Sequence, residues 1–225
     1  MRDPQIVRAM FRRVARRYDL ANHLLSCGAD FLWRARAACL VASWQPARVL
    51  DLATGSGDLA LAIARWLPKA KIVGADFAPE MLEIARAKGV RETVLGDALA
   101  LPFADRSFDC VTIAFGLRNV ADWRGALREM ARILTSEGHV LILDFSIPKS
   151  ALRTPYRLYL HHCLPRLAGL LTGQREAYYY LGASIEDFPS GSAMLKLIEA
   201  NGFSNATARP MTGGIVTMYC ATKRI

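Results

Sequence analysis

Two aspartates bracket a glycine-rich turn in the segment Val49-Leu50-Asp51-Leu52-Ala53-Thr54-Gly55-Ser56-Gly57-Asp58. An apolar run ending in an acid, then a glycine turn, then a helical stretch lets backbone approach a nucleotide closely. The spacing Gly55-x-Gly57-x-x-Ala60 satisfies the dinucleotide fingerprint, so the glycines alone leave several cofactors open. Charge narrows the choice. A helix N-terminus attracts anions, and carboxylates placed there would repel a pyrophosphate. Asp51 and Asp58 instead suit a cationic group such as the ammonium of an amino acid, although Asp58 could equally cap the helix. Asp76 ends the next apolar run, 19 positions after Gly57, where an acid accepts hydrogen bonds from ribose hydroxyls. Asp97, in Gly96-Asp97-Ala98, follows a third run and offers an acceptor to an adenine amine. Acids ending three successive strands point to S-adenosylmethionine as the cofactor rather than to NAD.

These acids need a scaffold, and the hydrophobic pattern supplies one. Strands are expected at 48–52, 71–75, 92–95, 108–115 and 139–145, with helices at 58–67, 79–88 and 123–134 between them. Such alternation implies an α/β fold: a Rossmann-like, mostly parallel sheet with helices on both faces and the site at the carboxyl ends of the strands. A further helix covers 29–43. Residues 151–187 break the alternation with a helical, tyrosine-rich insert containing Tyr156, Tyr159, Tyr178, Tyr179 and Tyr180. A helix near 191–201 and strands near 203–209 and 214–221, joined through Gly213-Gly214, complete seven strands. One domain spans 1–225. It divides into a helical lid (1–45), a cofactor core (46–147), a substrate insert (148–189) and a closing helix with strands (190–225).

Half of the residues are apolar (52%), enough for a full core without staples. Cys27, Cys39, Cys110, Cys163 and Cys220 are odd in number and lack C-x-x-C spacing, so they read as buried apolar groups in a reducing compartment. No His/Cys cluster has metal-ligand spacing. The chain shows no secretory signal and no apolar run of the ~20 residues that span a bilayer. A cytoplasmic protein is expected. The net charge of +9 suits nucleic acid, an anionic membrane surface or plain solvation. Residues 5–17 place Ile6, Val7, Met10, Phe11 and Val14 at helical spacing among five arginines, as in a surface helix or a basic interfacial element.

Phe115-Gly116-Leu117-Arg118-Asn119-Val120, together with Tyr18-Asp19-x-x-Asn22-x-x-Leu25-Ser26-x-Gly28-x-x-x-x-Trp33, closely resembles the ubiquinone/menaquinone biosynthesis C-methyltransferases. The resemblance covers nearly the whole chain and includes Ala100-Leu101-Pro102-Phe103 and Tyr178-x-Tyr180-Leu181-x-x-Ser184-Ile185. It implies a class I methyltransferase that methylates a ring carbon of a prenylated quinol, with cofactor contacts at Ser56, Asp76, Asp97, Ala98 and Ala114. Ser56 stands where threonine is usual and Asp97 where asparagine is common. Ala114 replaces a frequent serine, Asp144 a glutamate, and Asp30 the histidine of the tyrosine-aspartate signature.

Methylating an aromatic carbon needs an electron-rich ring, in-line approach, stabilisation of the quinolate and an acceptor for the ring proton. Arg118, just after the fourth strand, is placed to stabilise an oxyanion; the competing reading makes it a structural ion-pair partner. Asn119 could bind the quinol oxygen or orient Arg118, and Tyr18 could contact cofactor or substrate. His162, Asp144 and a bound water are all open as proton acceptor. Leu158, Leu160, Leu164, Leu167, Leu170 and Leu171 offer an apolar groove for a prenyl tail, and flanking arginines suit anionic lipid. The expected partners are therefore the membrane-held prenylated quinol and anionic lipid, with a homodimer open. Nucleic acid is not expected, because neither an Asn/Asp-Pro-Pro-aromatic motif nor a Pro-Cys nucleophile is present. Demethylmenaquinol is favoured as acceptor, with the 2-methoxy-6-polyprenyl-1,4-benzoquinol intermediate of ubiquinone biosynthesis as the alternative. A non-catalytic binding module and a dehydrogenase are the readings from other classes.

Overall fold

Short runs rich in Val, Ile and Leu pair into a seven-stranded sheet of order β3-β2-β1-β4-β5-β7-β6. The computed structural model describes residues 26, 28–149, 151–172 and 175–224, with backbone alone for 170–172, 175 and 177. The helix expected over 5–17, and Tyr18 with it, lies outside the described residues. From the N-terminal side come α1 (Ala29–Ser43), β1 (Arg48–Leu52), α2 (Asp58–Trp66), β2 (Lys71–Asp76), α3 (Pro79–Lys88) and β3 (Glu92–Leu95). Then follow β4 (Phe108–Ala114), α4 (Trp123–Ile133) and β5 (Leu134–Phe145). The insert contains α5 (Arg153–Leu158), a π-helical turn (Tyr159–Cys163), α6 (Leu164–Thr172) and α7 (Arg175–Asp187). Helix α8 (Ser192–Glu199) and strands β6 (Phe203–Met211) and β7 (Val216–Lys223) close the fold.

Strands β1 to β5 run parallel, and β7 lies antiparallel between β5 and β6. Because side chains alternate along a strand, β1 sends Leu50 and Leu52 into one apolar layer and Val49 into the other. The first layer packs under α4, which buries Ala126, Leu127, Met130 and Ile133. The second packs α1 and α2 through Trp33, Val41, Leu59 and Ile63. Asp122 caps α4 by accepting a hydrogen bond from the Arg124 N–H. Pro79 opens α3, and Gly89, at φ +109°, ends it.

Two boundaries differ from expectation. Strand β5 begins at Leu134, which pairs with Phe108, rather than at His139. The four residues after Leu134 bulge out, with Glu137 at φ +62°, before pairing resumes at His139. Strand β6 runs on to Met211, and a tight helical turn at Thr212–Gly214 delays β7 to Val216. Among the described residues no helix is long and apolar enough to cross a membrane.

Candidate active site

Two adjoining cavities open where the sequence places them, at the carboxyl ends of β1, β2 and β4. The larger has a volume of about 360 Å³ and the smaller about 120 Å³. They share Ala53, Gly55, Ala114, Phe115 and Asn119 as walls. Ala53 (φ +50°) and Phe115 (φ +58°) both take the left-handed backbone that non-glycine residues avoid. Beside them the two loops approach so closely that a Cβ on Gly116 would lie 2.5 Å from the Ala53 Cβ.

The smaller cavity is lined by Asp76, Phe77, Met81, Asp97 and Ala98. Asp76 is buried at the end of β2, where its Oδ2 accepts from the Gly55 N–H (2.9 Å) and its Oδ1 from the Ala78 N–H (3.0 Å). Burial raises its pKa, against the backbone hydrogen bonds that lower it. With the Phe77 amide also bonded to it, the carboxylate keeps acceptor capacity for one further donor such as a ribose hydroxyl. Asp97 accepts from the Leu99 N–H at 2.9 Å, which orients its side chain at the cavity edge. Two amides of the glycine turn are taken up by bonds within the protein. The Gly55 amide points at Asp76, and the Gly57 amide donates to the Thr54 carbonyl at 2.9 Å. Those amides are the groups that a pyrophosphate would need.

The larger cavity reaches from the glycine turn to the insert. Asp51 is fully buried at its base; Oδ2 accepts from Thr54 Oγ1 and Oδ1 from Thr112 Oγ1, both at 2.7 Å. Burial raises the Asp51 carboxyl to about 6, against those hydrogen bonds. Ser56 also lines this cavity, with Lys88 Nζ 3.3 Å from its hydroxyl. Gly57 does not line either cavity. It sits at the start of α2 at φ +86°, where a Cβ would overlap Val90. Asp58 is not a cap either, since it is the first helical residue and its carboxylate meets Lys88 and Arg34. Asp58 lines the larger cavity as Asp51 does, but its charge is matched within the protein.

Arg118 and Asn119 lie in a tight turn after β4 and both line the larger cavity. Arg118 Nη1 binds Asp144 Oδ1 at 2.7 Å and also the Phe115 carbonyl, and its guanidinium lies 5.3 Å from the Phe145 ring centroid. The ion-pair reading of Arg118 is thus satisfied, yet its Nε is buried with no partner. Tyr180 Oη donates to Asn119 Oδ1 at 3.3 Å. Asp144 is fully buried, engaged by Arg118 and the Phe145 N–H, and lines neither cavity. His162 is exposed and lines neither as well. Two of the three proton acceptors suggested by the sequence are therefore out of place.

Of the proposed tail groove, Leu160 and Leu164 face the cavity, whereas Leu158 and Leu167 are about half exposed (55% and 49%). Residues 170 and 171 are described by backbone alone. Sequence reasoning missed most of the apolar wall: Tyr156, Tyr159, Tyr178, Tyr180, Leu181 and Ile185. The spacing Tyr156-Leu160-Leu164 and Tyr178-Leu181-Ile185, one face of each helix, was the available signal. Trp33 was also missed as a wall; its Nε1–H donates to Thr212 Oγ1 at 2.8 Å and ties α1 to the β6–β7 connection.

The residues present fit S-adenosylmethionine. A buried carboxylate lines the larger cavity, two further acids line the smaller one, and the Gly55 and Gly57 amides of the turn are already bonded within the protein. Comparison with known proteins agrees. The model of the ubiE/COQ5 methyltransferase family matches residues 1–223. A demethylmenaquinone methyltransferase of Thermus thermophilus is 51% identical over 201 residues, covering 87% of this chain and 91% of that one. One of Deinococcus radiodurans is 44% identical across 98% of this chain and 93% of its own. In architecture, a SAM-dependent methyltransferase from Thermotoga maritima superposes with a TM-score of 0.69 at 21% identity, over 96% of this chain and 100% of that one. The chain belongs to the ubiE/COQ5 methyltransferase family.

Proposed function

We propose that this methyltransferase moves the methyl group of S-adenosylmethionine to a ring carbon of a prenylated quinol, with demethylmenaquinol as the acceptor. The observation that supports it best is the larger cavity. One end is polar, around Asp51 and Ser56; the other is walled by Tyr156, Leu160, Leu164 and Ile185, as an apolar tail requires. The names of the most similar relatives favour demethylmenaquinol over the benzoquinol of ubiquinone biosynthesis.

When bound, S-adenosylmethionine supplies an electrophilic methyl on a sulfonium. Asp51 would hold the ammonium, Asp76 the ribose, and Asp97 with Ala98 the adenine. Ala53, Ala114 and Phe115 wall both cavities, where methyl donor and ring would meet. Arg118, which lines the larger cavity, stabilises with its guanidinium the charge that develops on the quinol oxygen. Asn119, held by Tyr180, adds a second polar contact. Neither Asp144, engaged by Arg118, nor His162, which faces solvent, is placed to take the ring proton.

The insert, 148–189, also supports contact with an anionic membrane surface. Residues 151–172 contain three arginines and two histidines but no acid. Leu158 and Leu167 project beside them, next to the helices that wall the cavity. Arg157 and His161 share Glu186, which tempers part of that charge. The deciding experiment supplies labelled S-adenosylmethionine with either reduced demethylmenaquinol or the demethylated benzoquinol. Labelled menaquinol, identified by mass, is the expected product; label on the benzoquinol alone would reassign the acceptor.

A further inference from the structure

Among the described residues lining the larger cavity, only Arg34 and Arg118 carry a fixed positive charge. Arg118 is held by Asp144, and of the two arginines it is Arg34 whose charge acts on Asp51. Arg34 projects from α1 toward the glycine turn, with its side chain 13% exposed. Its Nη1 is fixed by Asp30, whose Oδ1 also accepts from Ser26 Oγ at 2.8 Å. Its Nη2 stands 3.7 Å from Asp58, beyond hydrogen-bond length. The guanidinium lies 5.6 Å from the Phe115 ring centroid, and its charge is felt at Asp51. Asp58, the acid that most directly offsets Arg34 on the turn, is also neutralised by Lys88.

An amino acid end group entering this cavity brings an ammonium and a carboxylate one carbon apart. Asp51 meets the first. The second arrives among Asp30, Asp51 and Asp58, and needs a cation with donors to spare. We propose that Arg34 binds the α-carboxylate of the methionine moiety, with Asp30 and the Phe115 face fixing the guanidinium in advance. This assignment rests on the S-adenosylmethionine reading above. It gives α1 a direct part in cofactor binding, beyond its packing on α2.

The test uses two ligands that differ by one group: S-adenosylhomocysteine and its decarboxylated analogue, titrated calorimetrically into the intact protein and into Arg34→Met and Arg34→Lys. The unaltered protein should prefer the carboxylate-bearing ligand by ~10- to 100-fold, as expected for a charge-assisted hydrogen bond. Arg34→Met should lose that preference while binding the decarboxylated analogue as before, and Arg34→Lys should retain part of it. Equal weakening of both ligands in Arg34→Met would overturn the proposal and assign Arg34 to packing. Equal affinity of the unaltered protein for both ligands would overturn it as well. If neither ligand bound the unaltered protein, the donor assignment itself would fall, and this proposal with it.

Discussion

Arg118 and Asp144 form a buried ion pair, 2.7 Å between Nη1 and Oδ1, across the ends of β4 and β5. Removing one partner of such a pair leaves an uncompensated charge at a cost of about 3–5 kcal/mol, whereas removing both with apolar residues of similar volume is often neutral. Arg118→Ala should therefore lower both stability and turnover. The double variant Arg118→Met/Asp144→Leu separates the two effects. Thermal unfolding should return close to that of the unaltered protein, while turnover stays at least ~100-fold down, the scale of losing an oxyanion donor. Recovered turnover in the double variant would make the pair purely structural.

Asp76 should show the opposite balance. Asp76→Ala leaves the Gly55 and Ala78 amides without acceptors, at about 1–3 kcal/mol each if they stay buried. Affinity for S-adenosylhomocysteine should fall ~10-fold or more by calorimetry, and Asp76→Asn, which keeps one acceptor oxygen, should lose less. Unchanged affinity in Asp76→Ala would exclude a ribose contact.

Asp51 predicts a pH dependence with two opposed signs. Its folded pKa of about 6 lies above the 3.8 of the free carboxyl. The protonated form thus stabilises the fold below 3.8, and that contribution fades as pH rises to about 6. Cofactor affinity moves the other way, because the ammonium needs the ionised carboxylate. Binding of S-adenosylhomocysteine should tighten between pH 5 and 7 (roughly one unit either side of the shifted pKa). Asp51→Asn should flatten that profile; an unchanged profile in the variant would assign the pH effect to another group.

The insert should bind vesicles that contain anionic lipid, and binding should weaken with salt. Leu158→Glu and Leu167→Glu place an acid on each exposed position and should reduce co-sedimentation several-fold. Turnover of a short-chain, detergent-dispersed quinol should be little affected, since neither residue lines the cavity. Equal sedimentation of the variants would rule out this face.

Strands β1 to β4 and helices α1 to α4 follow their hydrophobic periods closely, because each buries a face against a neighbour and the pattern records it. Asp51, Gly55, Asp76 and Asp97 were legible for a related reason: position at a strand end fixes the cavity that a side chain meets. The neighbours of Gly57 and Asp58 were not legible, because Val90 follows α3 and Lys88 ends it, far from the glycine turn in sequence. The same holds for Asp144, whose engagement with Arg118 depends on register between strands rather than on any local spacing. The tyrosine-rich insert was legible as a segment, but which of its tyrosines wall the cavity depends on how its helices pack, which no local spacing records.

The π-helical turn at Tyr159–Cys163 has a consequence for how this insert tolerates change. A π turn is one residue longer than the α turn it replaces. Deleting a single residue there would close it to a regular α turn and leave the helix beyond in the same phase, so Leu164 would keep its place on the wall that it shares with Tyr156 and Leu160. Adding a residue to the regular helix on either side would instead rotate everything beyond it by about 100°. The insert thus tolerates the loss of one residue between α5 and α6 better than a gain, and the volume available to an acceptor's tail is set by residue number as much as by residue type.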